Sequence, residues 1–365
     1  MLAFIAWTPL HVINILNTKM NFFPNDEADI FIYDEFSNSD KICDNIKSEK
    51  IFNNVYFVEH EKMGGKIESK LNVLFNRNII LPSAEPFKYE AIFTQGGNHF
   101  YKILYAKSKM NNSNLKLHYI EDGMVTYTSL DLMNVRKHRR ILLNTINPYS
   151  SLKGNYINSY IYNPEFTNIS QATKAHRLPK INRDNPIYNV LKRIFDYKED
   201  KQNIKNSLVF FDQPTDHPLL KEVEKKAFSV LLKNSDNRRL FVKLHPRTDR
   251  NKYSKEIDIL NTHLPWEVYC LLNNVENVTT VSLYSTASLN ANIMFDISLD
   301  TVLLTRLLTE DEKYTSIINK DKALKNKLQE LYRATSNFEK MKNSNIFLPK
   351  NEIEINKYLR KNTLE

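Results

Sequence analysis

Short apolar segments alternate with longer mixed segments along the first half of the chain. Residues 2–7 are apolar throughout, which predicts a buried strand, and residues 9–17 carry apolar side chains at helical spacing. Pro9 suits the first turn of this helix, because that turn does not use the N–H that proline lacks. Another segment long enough for a helix lies at residues 100–110. Further apolar runs predict strands at residues 30–33, 55–58, 91–94 and 116–120.

The same alternation returns in the second half of the chain. Strands are predicted at residues 207–211, 239–244 and 278–283, and helices at residues 218–232 and 285–292. Residues 293–297 form another apolar run and are predicted to be a further strand. The C-terminal part of the chain is rich in Lys and Glu and is predicted to be helical.

Strands that alternate with helices are typical of doubly wound parallel sheets. At about 150 residues per domain, the length of the chain favours two domains. We therefore predict an α/β protein with two Rossmann-like domains. The predicted boundaries are an N-terminal domain at residues 1–185, a polar linker at 186–206, a C-terminal domain at 207–335 and a helical segment at 336–365.

The composition argues against several common nucleotide-binding classes. The 365 residues include 6 glycines, where average usage of ~7% gives roughly 25. Neither the P-loop string G-x-x-x-x-G-K-[ST] nor the dinucleotide fingerprint G-x-G-x-x-G occurs. The two cysteines, Cys43 and Cys270, provide neither metal-ligand spacing nor a disulfide framework, and they fit a reducing compartment. ATPase, GTPase and NAD-dependent activities are therefore disfavoured.

The net charge of +9 favours a polyanionic partner. Nucleic acid, an anionic membrane surface and an anionic substrate all meet this description. The basic residues are spread along the chain, apart from a cluster at residues 136–140, which is more typical of a solvated loop or helix end than of an anion-binding patch. Because no basic stripe with interleaved aromatic residues occurs, we expect no nucleic-acid partner.

The chain has no apolar run of about 18 residues, and its N-terminal segment lacks a positively charged start. We therefore expect a cytoplasmic protein without a transmembrane helix, peripheral to the inner membrane face. The sequence leaves the oligomeric state open, a homodimer included.

Polar residues directly after predicted strands are candidates for chemistry, because ligands bind beyond the carboxyl ends of strands in doubly wound sheets. Glu121 and Asp122 follow the strand at residues 116–120 and precede Gly123. Adjacent carboxylates repel each other, and burial raises the pKa of at least one of them, which makes a general base near neutral pH. An ordinary acidic turn is the alternative, since Asp-Gly is a common turn dipeptide.

A second candidate is His245, which ends the strand at residues 239–244 and is followed by Pro246. The flanking Lys243 and Arg247 make a positive field in which the imidazole can donate a proton or a hydrogen bond to a phosphate oxygen. A purely structural histidine is the alternative.

Two further candidates lie later in the chain. Ser282, Ser285 and Thr286 are hydroxyl residues at a predicted strand-to-helix junction, where free N–H groups bind phosphate, although ordinary helix capping explains them equally well. Glu267 follows Pro265 and Trp266 and is an acid that could accept hydrogen bonds from ribose hydroxyls. Its alternative role is a favourable interaction with a helix N-terminus.

The order of these motifs resembles that of bacterial sialyltransferases, especially the lipooligosaccharide sialyltransferase family (glycosyltransferase family 52). Bacterial polysialyltransferases and Pasteurella-type sialyltransferases carry related motifs. The matching strings are Glu121-Asp122-Gly123, His245-Pro246 and Ser285-Thr286. The opening Trp7-Thr8-Pro9-Leu10-His11 is similar to the Thr-Pro-Leu-Gln start of the group, with His where Gln is more usual. Phe211-Asp212-Gln213-Pro214 resembles the first strand and loop of the second domain.

The resemblance implies a GT-B fold, in which two Rossmann-like domains face each other across a cleft. It implies that Asp122 is the general base for the acceptor hydroxyl and that His245 is the acid, or phosphate stabiliser, for departing CMP. Ser285 and Thr286 resemble the phosphate-binding pair, with Thr286 where many relatives have Ser, and Glu267 resembles the acid that holds the ribose. The other residues predicted to bind substrate are Thr8, Pro9, Glu121, Gly123, Gln213, Lys243, Pro246, Arg247 and Ser282.

The expected activity is an inverting, metal-independent transfer of sialic acid from CMP-Neu5Ac to a terminal sugar, galactose in the first instance. The expected acceptor is a bacterial surface glycan, either lipooligosaccharide or capsule. We expect no cofactor and no metal, because no Asp-x-Asp string occurs and Lys243, His245 and Arg247 can offset the phosphate charge. Three alternatives stay open: a GT-B glycosyltransferase that uses another nucleotide sugar, a basic nucleic-acid-binding protein and a non-catalytic glycan-binding protein.

Overall fold

The structure is a computed structural model. It describes residues 1–59, 61, 89–96, 100–128, 156–169, 173–199, 202–213, 217–233, 238–245, 247–285, 287–297, 299–341 and 344–361. The predictions made for residues 136–140, Pro246 and Thr286 therefore lie outside the described residues. The chain divides into two compact units, unit 1 at Met1–Tyr197 and unit 2 at Lys198–Glu365, and each is described by itself.

Unit 1 is built on a seven-stranded parallel sheet. Its strands are β1 (Leu2–Ala6), β2 (Ala28–Tyr33), β3 (Asn54–Val58), β4 (Ala91–Thr94), β5 (Lys116–Ile120), β6 (Tyr156–Ile161) and β7 (Lys174–Arg177). Its helices are α1 (Pro9–Phe22), α2 (Ser39–Glu49), α3 (Phe100–Asn111), α4 (Val125–Thr128) and α5 (Pro186–Ile194), with a 3₁₀ turn at Pro164–Phe166. The strand order is β3-β2-β1-β4-β5-β6-β7.

Unit 2 is built on a six-stranded parallel sheet. Its strands are β8 (Leu208–Phe211), β9 (Leu240–Lys243), β10 (Asp258–Ile259), β11 (Thr279–Ser282), β12 (Asp300–Leu303) and β13 (Ile346–Phe347). Its helices are α6 (Pro218–Lys233), α7 (Trp266–Leu272), α8 (Ala287–Met294), α9 (Thr305–Glu310), α10 (Glu312–Ile318), α11 (Lys322–Glu339) and α12 (Glu352–Lys361), with a 3₁₀ turn at Arg250–Lys252. The strand order is β10-β9-β8-β11-β12-β13.

In both sheets the first strand in sequence lies in the interior of the sheet, and later strands are added on either side of it. In unit 1 the order reverses between β1 and β4, and in unit 2 it reverses between β8 and β11. Such a reversal sends the connecting helices to opposite faces and leaves a crevice at the carboxyl ends of the two central strands. These crevices are where polar residues after the strands come together.

The strand register places the candidate residues at these edges. In unit 1, Phe4 of β1 pairs with Phe93 of β4, and Thr94 pairs with Tyr119 of β5, so the segments after β1 and β5 flank β4. In unit 2, Phe211 pairs with both Lys243 and Ser282, so the segments after β8, β9 and β11 emerge side by side.

The predicted fold class, an α/β protein with two Rossmann-like domains, is confirmed by the two parallel sheets. The predicted strand at residues 293–297 is wrong, because α8 continues to Met294 and the next strand of the sheet is β12. The side chains of Ile293, Met294 and Phe295 are buried, so the apolar run is the end of a helix packed on the core. Periodicity alone does not separate such a run from a buried strand.

The segment before the boundary between the units is helical. α5 packs against α1 and α2 of unit 1. Its end is tied to α2, since Asn45 donates a hydrogen bond to the carbonyl of Ile194 at 2.9 Å and Arg193 pairs with Glu49 at 2.6 Å. These contacts assign residues 186–194 to unit 1. Among the residues that the structure describes, no helix is both long enough and apolar enough to cross a bilayer.

A cluster of aromatic and histidine rings packs inside unit 1. The His118 ring lies 4.8 Å from the ring of Phe93 and 6.3 Å from that of Tyr160, and Tyr160 stacks on His176 at 5.0 Å. Burial, reinforced by the charges of Lys116 and His176, lowers the pKa of His118 to about 4. His118 is therefore neutral in the folded protein at neutral pH.

Acid is expected to destabilise unit 1 through His118. Its pKa is about 4 when folded against 6.5 for a free histidine, so the unfolded chain binds the proton more readily between these values. The stability that unit 1 gains from a neutral, buried His118 is fully present above pH 6.5. It is lost as the pH falls towards 4, because the unfolded chain then takes up the proton first. Urea unfolding at pH 7 and pH 5 should show a fall of about 2 kcal/mol in wild-type stability from this group.

His118→Phe keeps a ring in the cluster and should remove most of this pH dependence. The matched control is His263→Phe, since His263 is an exposed histidine of unit 2 and should leave the dependence unchanged. An unaltered pH dependence in His118→Phe would contradict this assignment.

Candidate functional site

Asp122 lies directly after β5, at the carboxyl edge of the unit 1 sheet. Its side chain is 24% exposed, and its Oδ1 is 2.7 Å from Nε2 of His11, a fully buried residue of α1. Among the described residues, none donates a hydrogen bond to the second oxygen, Oδ2. A buried imidazole therefore holds one carboxylate oxygen in place, while the carboxyl group keeps contact with solvent.

The hydrogen bonds of His11 determine which of its nitrogens carries the proton. Nδ1 accepts a hydrogen bond from the N–H of Trp7 at 3.4 Å, so it is unprotonated. The proton of the neutral ring is then on Nε2, which donates to Asp122. The Trp7 ring packs edge-on against the imidazole, with centroids 4.4 Å apart, and restricts its rotation. Asp122 thus accepts a hydrogen bond from a ring of fixed orientation.

Thr8 and Pro9 form the helix start that places His11. Thr8 is the N-cap of α1, and its Oγ1 accepts a hydrogen bond from the N–H of His11 at 3.2 Å. Pro9 is the first residue of the helix, as its missing N–H allows. Both residues thereby shape the turn next to Asp122, and their predicted contact with substrate stays a prediction.

Glu121 is the carboxylate of the acidic pair whose pKa is raised. The residue is 1% exposed, and burial raises its pKa to about 8. Its Oε2 accepts hydrogen bonds from the hydroxyl of Tyr127 at 2.6 Å and from the N–H of Tyr162 at 2.7 Å, which oppose that rise. Glu121 is therefore largely protonated near pH 7 and lies in the interior. Of the two acids, Asp122 is the one placed to exchange a proton with a ligand.

The turn after Asp122 holds its backbone. The N–H of Asp122 donates to Oγ1 of Thr126 at 2.8 Å, and that hydroxyl also contacts the hydroxyl of Tyr119 at 2.9 Å. Gly123 has a φ of 52°, in the left-handed region where a glycine avoids the strain that a side chain would cause. The tight turn into α4 therefore explains the glycine without requiring contact with substrate, which stays a prediction.

His245 follows β9 at the carboxyl edge of unit 2 and is partly buried. Its Nδ1 accepts a hydrogen bond from the N–H of Arg247 at 3.2 Å, so the proton of the neutral ring is on Nε2. Burial and the charge of Arg247 lower the pKa of His245, while Asp212 opposes them. At neutral pH the ring is therefore neutral, with an Nε2–H that can donate to an oxygen of a ligand.

Lys243 is a partly buried basic residue and Glu267 a buried acidic residue of unit 2. Burial lowers the pKa of Lys243, and the charge of Glu267 opposes that shift. Glu267 is the second residue of α7, and burial raises its pKa. Its Oε1 accepts a hydrogen bond from the side-chain amide of Asn290 at 2.9 Å, which ties α7 to α8. The predicted binding of ribose by Glu267 stays a prediction.

Ser282 and Ser285 lie at the junction of β11 and α8. Ser282 is fully buried, and its hydroxyl donates to the carbonyl of Ser285 at 3.1 Å. The hydroxyl of Ser288 donates to the same carbonyl at 2.9 Å and lies 3.3 Å from that of Ser282. These bonds shape the loop that leads into α8. Phosphate binding by Ser282 and Ser285 stays a prediction, and Thr286 lies outside the described residues.

Two residues predicted to bind substrate, Gln213 and Arg247, line a cavity of about 810 Å³ in unit 2. Lys252 and Tyr253 contribute to its wall. The N–H of Gln213 donates to Oε1 of Glu224 at 3.1 Å, so the segment after β8 is attached to α6. Within the described part of the chain, no group of three or more His, Cys, Asp or Glu side chains could hold a metal ion.

Three polar residues that the sequence analysis did not assign hold the candidate residues: His11, Asp212 and Asn290. His11 and Asp212 each lie within a motif quoted for the family resemblance, so the signal was present in the sequence. For His11, helical spacing from the capping Thr8 indicates a position on the first turn of α1. Nothing in the sequence pairs Asn290 with Glu267, because that contact depends on the packing of two helices.

The backbone resembles solved structures of low sequence identity. The UDP-GlcNAc 2-epimerase of Methanocaldococcus jannaschii, in complex with UDP-GlcNAc and UDP, has a TM-score of 0.44 at 14% identity, over 100% of this chain and 99% of that chain. Arabidopsis thaliana UGT89C1 complexed with UDP has a TM-score of 0.44 at 12% identity, over 99% of both chains. The S. aureus MnaA–UDP structure has a TM-score of 0.48 at 9% identity, over 90% of both chains.

No curated protein matches the chain. The family model of alpha-2,8-polysialyltransferase (POLYST) matches residues 2–303, which span unit 1 and the unit 2 strands up to the end of β12. The sequence-based resemblance is thus confirmed for the polysialyltransferases, while the closer relation to glycosyltransferase family 52 and to the Pasteurella-type enzymes stays a prediction. The match includes Asp122, His245 and Glu267, and with it the chain belongs to the alpha-2,8-polysialyltransferase family and is a glycosyltransferase.

Proposed function

We propose that the protein transfers sialic acid from CMP-Neu5Ac to a terminal sugar of a bacterial surface glycan, with inversion at the anomeric carbon. Galactose is the proposed acceptor sugar, and lipooligosaccharide or capsule the proposed glycan. The observation that carries the proposal is Asp122, which keeps contact with solvent while the buried His11 holds Oδ1. In a chain of the polysialyltransferase family, this is the arrangement that a general base requires.

The proposed transfer is a single displacement. The acceptor hydroxyl oxygen forms a bond to the anomeric carbon of sialic acid, and its proton passes to Oδ2 of Asp122. The bond from that carbon to the phosphate oxygen breaks, and CMP leaves with the electron pair. The hydrogen bond from His11 keeps Oδ1 occupied, which supports Oδ2 as the oxygen that takes the proton in this proposal. One displacement inverts the configuration.

His245 is proposed to stabilise the departing phosphate as a hydrogen-bond donor rather than as an acid. Its Nδ1 is engaged by the N–H of Arg247, which leaves Nε2–H for a phosphate oxygen. Arg247 and Lys243 add positive charge near this position, and a donor placed where negative charge develops lowers the barrier. Ser285 and Thr286 are proposed to bind the phosphate, and Glu267 the ribose.

The proposed reaction needs no cofactor and no metal, because CMP-Neu5Ac already carries its leaving group. We further propose that the protein works at the inner membrane face, where its net charge of +9 favours anionic lipids and lipid-linked acceptors.

The donor is tested first. Calorimetry with CMP, UDP and GDP should show that CMP binds at least tenfold more tightly than UDP or GDP. Incubation with CMP-Neu5Ac and a panel of galactosides, followed by mass spectrometry, should show products that have gained one sialic acid. Preferential binding of UDP or GDP would assign another nucleotide sugar to the same fold.

Asp122→Asn should lower kcat by about 10²- to 10⁴-fold, the range typical for loss of a general base. The amide keeps the shape of the side chain and can still accept the hydrogen bond from His11, so the fold should persist. Steady-state kinetics and circular dichroism provide the two measurements. Glu121→Gln is the matched amide variant on the buried neighbour, and it should cost much less activity. Full transfer by Asp122→Asn would rule out the proposed base.

His245→Ala should lower kcat by about 10²- to 10³-fold, as expected for the loss of a donor to developing negative charge. Binding of CMP measured by calorimetry should weaken less than turnover, because the donor acts most strongly in the transition state. His263→Ala, at an exposed histidine of the same unit, is the control and should keep wild-type kinetics. Equal kinetics in both variants would exclude a role for His245 in transfer.

A further inference from the structure

An ionic cluster of two buried carboxylates and one partly exposed lysine lies next to the backbone of His245 in unit 2. Lys252 Nζ donates to Oδ1 of Asp212 at 2.6 Å, to Oε2 of Glu224 and to the carbonyl of Gln213 at 3.3 Å. The side chains of Asp212 and Glu224 are 0% and 4% exposed, and that of Lys252 is 34% exposed. An ammonium group has three N–H donors, and this cluster uses all of them.

The two carboxylates of the cluster connect Lys252 to the backbone beside the candidate donor site. Oδ2 of Asp212 accepts a hydrogen bond from the N–H of His245 at 3.3 Å. Oε1 of Glu224 accepts one from the N–H of Gln213 at 3.1 Å. Because Asp212 follows β8 and His245 follows β9, the cluster holds the ends of two neighbouring strands in register.

The orientation of the His245 ring depends on the turn that this cluster supports. The N–H of Arg247 donates to Nδ1 of the ring, and the N–H of Thr248 donates to the carbonyl of His245 at 2.9 Å. Four residues after Thr248, Lys252 ends the 3₁₀ turn at Arg250–Lys252 and points its ammonium group back to Asp212. The segment after β9, which includes His245, is therefore attached through Lys252 to the buried carboxylate of Asp212.

Stability alone does not require this arrangement. Burial raises the pKa of Glu224. Burial also acts to raise the pKa of Asp212, but hydrogen bonds from Lys252 and Tyr253 outweigh it, so that the pKa of Asp212 is lowered. Replacing a buried ionic group by apolar residues is often neutral or stabilising, so the cluster is better explained by the geometry that it imposes.

We propose that Lys252 is a positioning residue that, through Asp212 and Glu224, holds the backbone at His245 and Arg247 so that Nε2–H of His245 points at the donor phosphate. This inference rests on the proposed function for its kinetic consequence. The effect of Lys252 on the orientation of the His245 ring is a property of the protein without ligand, and it does not depend on which nucleotide sugar is the donor.

The first test is Lys252→Met, which keeps the length of the side chain and removes its charge. In the full-length protein, kcat should fall by at least tenfold with a smaller change in KM for CMP-Neu5Ac, because a misplaced donor costs most in the transition state. The matched control is Lys255→Met, since Lys255 is an exposed lysine of the same loop and should change kcat by less than twofold. Lys252→Arg, which keeps the charge, should recover part of the loss.

The second test reads the ring itself without any donor. Nitrogen chemical shifts of the His245 ring should show one tautomer, protonated on Nε2, in the wild type and in Lys255→Met. In Lys252→Met the shifts should move towards a mixture of both tautomers. Because this readout needs no activity, it tests the positioning role even if CMP-Neu5Ac proves not to be the donor.

A milder variant covers the case in which Lys252→Met does not fold. Tyr253→Phe removes only the hydroxyl that donates to Oδ1 of Asp212 at 2.8 Å, and it should lower kcat by about two- to fivefold, with a partial tautomer shift. Unchanged His245 shifts in a folded Lys252→Met or in Tyr253→Phe would overturn the proposal. Equal losses of kcat in Lys252→Met and Lys252→Arg, without a change of tautomer, would do the same.

Discussion

Parallel pairing of the strands is the constraint on which the rest of this structure depends. It gives all strands of a sheet the same direction, so that every carboxyl end emerges at one edge, and the central reversal of strand order opens a crevice there. Asp122 and the helix that carries His11 meet at this edge in unit 1, although they are far apart in sequence. In unit 2, Asp212 and His245 follow neighbouring strands and Ser282 ends the next one, for the same reason.

Burial of charge is the second theme, and the two units treat it differently. In unit 1, Glu121 is buried with no cation beside it among the described residues, and burial raises its pKa to about 8. The hydroxyl of Tyr127 and the N–H of Tyr162 donate hydrogen bonds to its carboxyl group. In unit 2, Asp212 and Glu224 share the ammonium of Lys252. The neutral carboxyl group of Glu121 can accept a hydrogen bond from the neighbouring backbone with little electrostatic cost. The ammonium group of Lys252 instead contacts Asp212, Glu224 and the carbonyl of Gln213, so replacing this one residue removes all three contacts. Asp122 and His245, which reach solvent, are each held by a buried partner, His11 and Asp212 respectively.

Most of the fold could be predicted from apolar periodicity, and the reasons for the exceptions are physical. β1 and β8 are short and apolar throughout, as strands buried on both faces of a parallel sheet must be. β6 has the sequence Tyr-Ile-Asn-Ser-Tyr-Ile, and its two central polar residues interrupt the apolar run by which a strand is predicted. The end of α8 was mistaken for a strand because a buried helix end and a buried strand are both apolar. The acidic pair after β5 could be found from sequence, but not which of the two acids is buried, because that depends on the tyrosines supplied by α4 and by the segment after β6.

The sequence by itself determined the α/β class, the positions of the central strands and the residue types that follow them, because these depend on local propensity and on hydrophobic periodicity. The motifs around Asp122 and His245 also belong to this local information, and they led to the family. Only the tertiary structure decided that His11 holds Asp122, that Glu121 is the buried acid and that Lys252 fastens the segment after β9. Each of those contacts joins residues brought together by strand order and helix packing, and the solvent exposure that sets their protonation exists only once the chain is folded.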